Sequence, residues 1–161
     1  MIAFGQQDSG QGPFLISLSE EYDNDLKIVV SLSCTGEIGE NADDMGIPAL
    51  GDILRKSCPI YPDENQTYEI LFEQYILYQT RNESYTSWDD YEIRKGTYFI
   101  IFEKSRLLDA LPVLTDCQIL SDGTYYPEKW KHYGIYCQNH IIDVISCFPP
   151  EIRKLKINNE E

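Results

Sequence analysis

The stretch Tyr133-Gly134-Ile135-Tyr136-Cys137-Gln138-Asn139-His140-Ile141-Ile142-Asp143-Val144-Ile145 decides how this chain folds. Two runs rich in β-branched and aromatic residues flank Gln138-Asn139. A two-residue loop with Asn at a positive-φ position predicts a type I′ hairpin. That register sets Ile135 opposite Ile142 and Tyr133 opposite Val144 on one face. On the other face Tyr136 meets Ile141, Gly134 meets Asp143, and His132 meets Ile145.

The rest of the chain supplies partners for this hairpin. Thr97-Tyr98-Phe99-Ile100-Ile101-Phe102 is apolar on both faces, as a central strand is. Ser105 predicts a helix cap, with the helix running to Leu111 and Pro112 stopping it. Ser121-Asp122-Gly123 reads as a turn. Further upstream, Tyr68, Ile70 and Phe72 alternate with Glu69, Leu71 and Glu73. The pattern slips at Gln74, which predicts a bulge or bend before Tyr75-Ile76-Leu77-Tyr78. Residues 81–90 read as a polar loop. Residues 14–19 and 26–34 predict a first hairpin around an acidic turn at 20–25. Pro48 opens a short helix with Leu50, Ile53, Leu54 and Ser57 on one face; Pro59 ends it and Pro62 marks a loop.

These elements sum to an α+β domain, mainly antiparallel β-sheet of about six strands with two short helices. It spans residues 1–161, with 1–13 and 153–161 loosely held. The strand–helix–strand rhythm of a doubly wound parallel sheet does not occur.

The charge is one-sided. The chain of 161 residues carries a net charge of −14, and residues 1–92 hold all of it, with 18 acids against 4 Lys and Arg. The remaining residues hold 9 of each. Such a field repels nucleic acid and anionic membrane and attracts cationic proteins. The N-terminus has no basic region followed by an apolar run, and no apolar stretch is long enough to span a membrane. Five widely spaced cysteines, Cys34, Cys58, Cys117, Cys137 and Cys147, form no CxxC pair. Together these features predict a cytoplasmic protein with reduced thiols, no structural zinc, no other metal and no cofactor.

Two residue groups stand out. Glu83, Tyr85, Trp88, Asp89, Asp90, Tyr91 and Glu92 interleave acids with aromatics, the pattern of a surface that steers and anchors a basic partner. The bland alternative is an aromatic cover on the core edge with solvated acids. The second group is His132 and Asp143, diagonal on one hairpin face, with Tyr136 beside them. A His–Asp pair can orient an imidazole for base catalysis. It can equally be a cross-strand hydrogen bond satisfying two half-buried polar groups. Walker A, GxGxxG, HExxH and GxSxG motifs are absent.

The pattern Tyr-Glu-Ile-x-Phe-Glu-x-Tyr-Ile-x-Tyr-Gln-x-Arg-Asn-Glu-Ser at residues 68–84 resembles that of a group of small bacterial proteins. So does Lys-His-Tyr at 131–133 with Asn-His-Ile-Ile-Asp-Val-Ile-Ser at 139–146. The resemblance implies membership and no particular reaction. In its acidic, small, single-domain character the chain also resembles immunity proteins of bacterial toxin systems, which plug basic toxins. That likeness rests on character, so no functional residue follows from it.

Three readings result. The first is a non-enzymatic, acidic, protein-binding module of the immunity type. The second is a small enzyme or ligand-binding protein using a cleft around His132 and Asp143. The third is a subunit of an assembly, with the 97–102 strand or the C-terminal hairpin at an interface.

Overall fold

The computed structural model describes residues 2–8, 10–39 and 48–156. Its element order is β1 (Phe14–Glu20), β2 (Leu26–Thr35), α1 (Pro48–Leu54), β3 (Ile60–Phe72), β4 (Tyr75–Asn82), β5 (Ile93–Lys95) and β6 (Phe99–Lys104). Then follow α2 (Arg106–Leu114), β7 (Gln118–Ile119), β8 (Tyr125–Tyr126), β9 (Lys131–Tyr136), β10 (His140–Ser146) and β11 (Glu151–Lys154). The fold is α+β and mainly antiparallel. A four-stranded sheet has the order β1-β2-β3-β11, a five-stranded sheet the order β4-β10-β9-β6-β5, and β7-β8 form a small ribbon. The described residues thus form eleven strands rather than about six. The extra ones are the short β5, β7, β8 and β11, without a clear period-2 signal, and β4, parted from β3 at Gln74.

The two larger sheets share one core. Leu26, Ile28 and Val30 of β2 and Ile70 and Phe72 of β3 pack with Phe99, Tyr133, Ile135, Ile142 and Val144 of the five-stranded sheet. Each such side chain, fully buried, contributes roughly 1.5–3 kcal/mol. The other face of the five-stranded sheet carries a second cluster, in which Leu111 of α2 meets Trp130, Cys117 and Ile145. β9 and β10 are therefore covered on both sides, which explains their near-continuous burial. The assembly reading loses its proposed interfaces here, since β6, β9 and β10 are interior to this sheet.

The hairpin register matches the sequence expectation pair for pair, from Tyr136 opposite Ile141 to His132 opposite Ile145. Its turn does not. Among the described non-glycine residues, positive φ occurs at Asp23, Asn24 and Gln74, and not at Gln138 or Asn139, so the turn is not type I′. The tip instead reaches across to the first sheet. Asn139 Oδ1 accepts from the Leu15 N–H at 2.9 Å, and its Nδ2 donates to the Leu15 carbonyl at 3.1 Å. The side-chain amide thus imitates one residue of a strand ladder.

Other expectations are corrected by packing. The slip at Gln74 is a bend (φ 52°) that carries the chain from one sheet to the other. Arg81 continues β4, paired with Ile141, rather than opening a loop. Pro62 lies within β3 opposite Ser33, beside a bulge where Ser31 next pairs with Thr67. Pro112 lies inside α2 and does not stop it. Its missing N–H costs one bond near the helix end, while the Thr115 N–H and hydroxyl both close on the Leu111 carbonyl. In α1, Leu50 and Ile53 are exposed, so that pair does not form a buried face.

The terminal segments differ too. Ile2 is buried, and the Phe4 ring packs edge-on against Phe72, Phe99 and Tyr133, with centroids 5.2–6.2 Å apart. Near the C-terminus, Arg153 and Lys154 belong to β11, and Arg153 Nε pairs with the nearly buried Glu69 at 2.7 Å.

Candidate binding cleft

Antiparallel pairing puts His132 and Asp143 on the sheet face covered by α2, with Gly134 and Ile145 as their cross-strand neighbours. Their side chains meet diagonally, and His132 Nε2–H donates to Asp143 Oδ1 at 3.0 Å. Asp143 Oδ2 accepts from Gln79 Nε2 at 3.0 Å and faces Arg81 Nη1 at 3.4 Å. Both partners come from β4, paired with β10 on its other side. Burial pushes the Asp143 carboxyl up. The hydrogen bonds from His132 and Gln79 and the Arg81 charge outweigh it and hold the group below the usual carboxylate range.

The second ring nitrogen has a partner the sequence did not reveal. Ser105 Oγ lies 2.8 Å from His132 Nδ1, while the same oxygen accepts the Leu108 N–H at 3.1 Å as the N-cap of α2. With Nε2 protonated and Nδ1 accepting, both ring nitrogens, the Ser105 hydroxyl and both Asp143 oxygens are satisfied, while Arg81 Nε is buried without a hydrogen-bond partner. The His132 ring stacks on Phe102 at 4.1 Å between centroids. Ser105, His132 and Asp143 stand in the order of a hydrolase triad, but Ser105 is 0% exposed and its oxygen is engaged twice. A nucleophile must reach its substrate, so this geometry fits the cross-strand polar pair better than catalysis.

The acidic–aromatic segment lies over the same sheet face. Asn82 caps a short turn at Glu83–Tyr85. Trp88 Nε1 donates to Asp90 at 2.6 Å, and the Tyr91 N–H to Asp89 at 3.0 Å. Asp89 also pairs with Arg106 Nε at 2.9 Å, and the Tyr91 hydroxyl donates to Asp109 at 2.5 Å. The Arg106 hydrogen bond holds the Asp89 carboxyl below its ordinary value, and the bond to Asp109 raises the Tyr91 phenol. Arg94 lies over the Trp88 ring at 4.1 Å and the Tyr136 ring at 5.4 Å. Lys104 and Arg106 lie over Tyr91 at 3.7 and 4.2 Å. The chain's own cations thus occupy much of a surface that reads, in sequence, as open acids and aromatics.

A cleft of about 460 Å³ is lined by residues of this segment, of α2 and of the five-stranded sheet. Leu107, Ala110 and Leu114 of α2 supply its apolar lining, and Tyr85, Thr86, Asp89 and Glu92 line it from the segment. Gln79, Arg81, His132 and Asp143 also line it. Tyr85, Asp89 and Glu92 of the first group singled out in the sequence and His132 and Asp143 of the second therefore border one cavity, and Trp88, Asp90 and Tyr91 do not. Tyr136 is set apart, in a smaller depression with Trp88, Glu92 and Arg94. Burial, and next the Asp143 charge, raise its phenol. Glu83 borders a third depression with Tyr136 and Gln138. Ser105, Arg106 and the α2 wall carried no functional signal in the sequence. Among the described residues no group of His, Cys, Asp and Glu is arranged to hold a metal ion, and no helix is long and apolar enough to cross a membrane.

Comparison with protein-family models, with curated proteins and with solved structures finds no match to this chain.

Proposed function

We propose that the chain is a non-enzymatic, acidic, protein-binding module of the immunity type, which neutralises a basic toxin by docking it over this cleft. The observation that carries the reading is the rim. Tyr85 is 85% and Leu114 59% exposed at a cleft bordered by Asp89 and Glu92, and Trp88, 72% exposed, lines the adjoining depression that shares Asp89 and Glu92 with it. Exposed aromatics at a concave site are the residue types that anchor partners. The net charge of −14 supplies the long-range attraction that speeds encounter with a cation.

A small-ligand reading draws on the cleft volume, which lies within the range of small-molecule sites. Arg81 Nε and Thr86 Oγ1, both buried without a hydrogen-bond partner in this lining, also favour it, whereas His132, Gln79 and Asp143 are engaged with one another. The test is capture of proteins from the source-cell lysate at low salt by the wild-type chain and by Trp88→Ala/Tyr85→Ala. A basic protein retained by the wild type, released by salt and lost with the double variant supports the reading. Equal retention by both chains, or release indifferent to salt, overturns it.

A further inference from the structure

We infer that the cleft receives a single arginine or lysine side chain of the partner, held between the Tyr85 ring and the Glu92 carboxylate; this rests on the protein-binding reading above. The argument is one of occupancy. Of the aromatic–acidic segment, Trp88 already has Arg94 over its ring though it stays 72% exposed, and Tyr91 has Lys104 and Arg106. Asp89 is paired with Arg106, and Asp90 accepts from Trp88. On the floor, Asp143 is shared by His132, Gln79 and Arg81. Among the described residues lining the cleft, Glu92 is the carboxylate with no ion pair or side-chain hydrogen bond. Tyr85 is the aromatic ring with no cation over it, and it is 85% exposed.

The apolar lining from α2 suits the rest of such a side chain. Leu107, Ala110 and Leu114 recur on one face of α2 at spacings of three and four. A Lys or Arg stem lies favourably along such a surface while its charged end meets a carboxylate and an aromatic face. The three cations the segment already holds show that its rings accept guanidinium and ammonium groups in this setting. A planar guanidinium can bond Glu92 with two N–H groups and still stack, so arginine is the preferred occupant.

The experiment is an NMR titration of the isotope-labelled chain with the blocked peptide acetyl-Gly-Gly-Arg-Gly-Gly-amide, and with its citrulline counterpart, which keeps the shape and loses the charge. Expected are amide shifts clustered at Tyr85, Glu92 and Ala110, and binding weakened about fivefold to tenfold by citrulline or by Glu92→Gln. Shifts scattered over the acidic surface, equal binding of the citrulline peptide, or an unchanged Glu92→Gln variant would overturn the inference. The broader reading fails separately. A chain that captures a basic protein through Trp88 and Tyr85, yet shows no arginine shifts in the cleft, sinks this inference alone.

Discussion

His132 and Asp143 lie on neighbouring strands, two positions apart in register and on one face, with 3.0 Å between Nε2 and Oδ1 and 2% exposure each. Their bond joins the cap of α2, through Ser105, to the β4 edge, through Gln79 and Arg81. The polar chain therefore spans the sheet face on which the cleft is built.

Removing the anion at its centre should be costly. Asp143→Ala leaves His132, Gln79 and Arg81 without their shared acceptor, and we expect a loss of about 3 kcal/mol. Urea unfolding checks this through a lower midpoint at unchanged slope; a loss below about 1 kcal/mol would contradict the network.

The same carboxyl sets an acid dependence. Its folded pKa lies below the ordinary 3.8, so the unfolded chain binds the proton first as pH falls. Its contribution is present above that ordinary value and is lost as pH drops through the lower, folded value. Melting temperatures of the wild type and Asp143→Asn, followed down through pH 4, should converge in acid. A difference that stays constant with pH would show that the charge of Asp143 plays no part.

Ser105→Ala removes both the α2 cap and the partner of His132 Nδ1. The expected cost is about 2 kcal/mol, seen in thermal or urea unfolding. Because Ser105 is fully buried, a fluorophosphonate should not label the folded chain at this residue. Labelling at Ser105 under native conditions would revive the enzymatic reading.

Gly134 faces Asp143 across the hairpin, where a Cβ would lie 2.8 Å from Phe102 Cε2 and 3.3 Å from Tyr136 Cε1. The Phe102 ring is confined by its stack on His132. Gly134→Ala should therefore cost about 1–3 kcal/mol. Neutral stability would mean that the Phe102–His132 stack moves freely.

Asn139→Ala breaks the two bonds that fasten the hairpin tip to β1. About 1 kcal/mol is expected for this exposed pair, with faster exchange of the Leu15 amide. Unaltered exchange at Leu15 would show that β1 is held without the Asn139 amide.

Local patterns were legible where one physical signal acts over a few residues. The 133–145 hairpin register follows from the two-residue connection at Gln138-Asn139 between two apolar runs, and the Ser105 cap from a polar residue ahead of an apolar run. Readings that depended on a single breaker residue failed at Pro62 and Pro112. Each proline costs at most one backbone donor, and sheet pairing or the end of a helix tolerates that. Asn139 was read through its backbone, when its side chain does the binding.

The sequence by itself determined the class of the fold, the pairing of β9 with β10, and the placing of the net charge in the first 92 residues. Alternation, turn composition and formal charge are properties of short windows or simple sums, and survive whatever the chain does at long range. The tertiary structure alone decided that loop 83–92 and the His132–Asp143 pair share one cleft. It also decided that Ser105 closes the polar chain and that Arg94, Lys104 and Arg106 lie over the Trp88 and Tyr91 rings. These contacts join residues brought together by sheet order and by the seating of α2, and both are set by burial summed over the whole core.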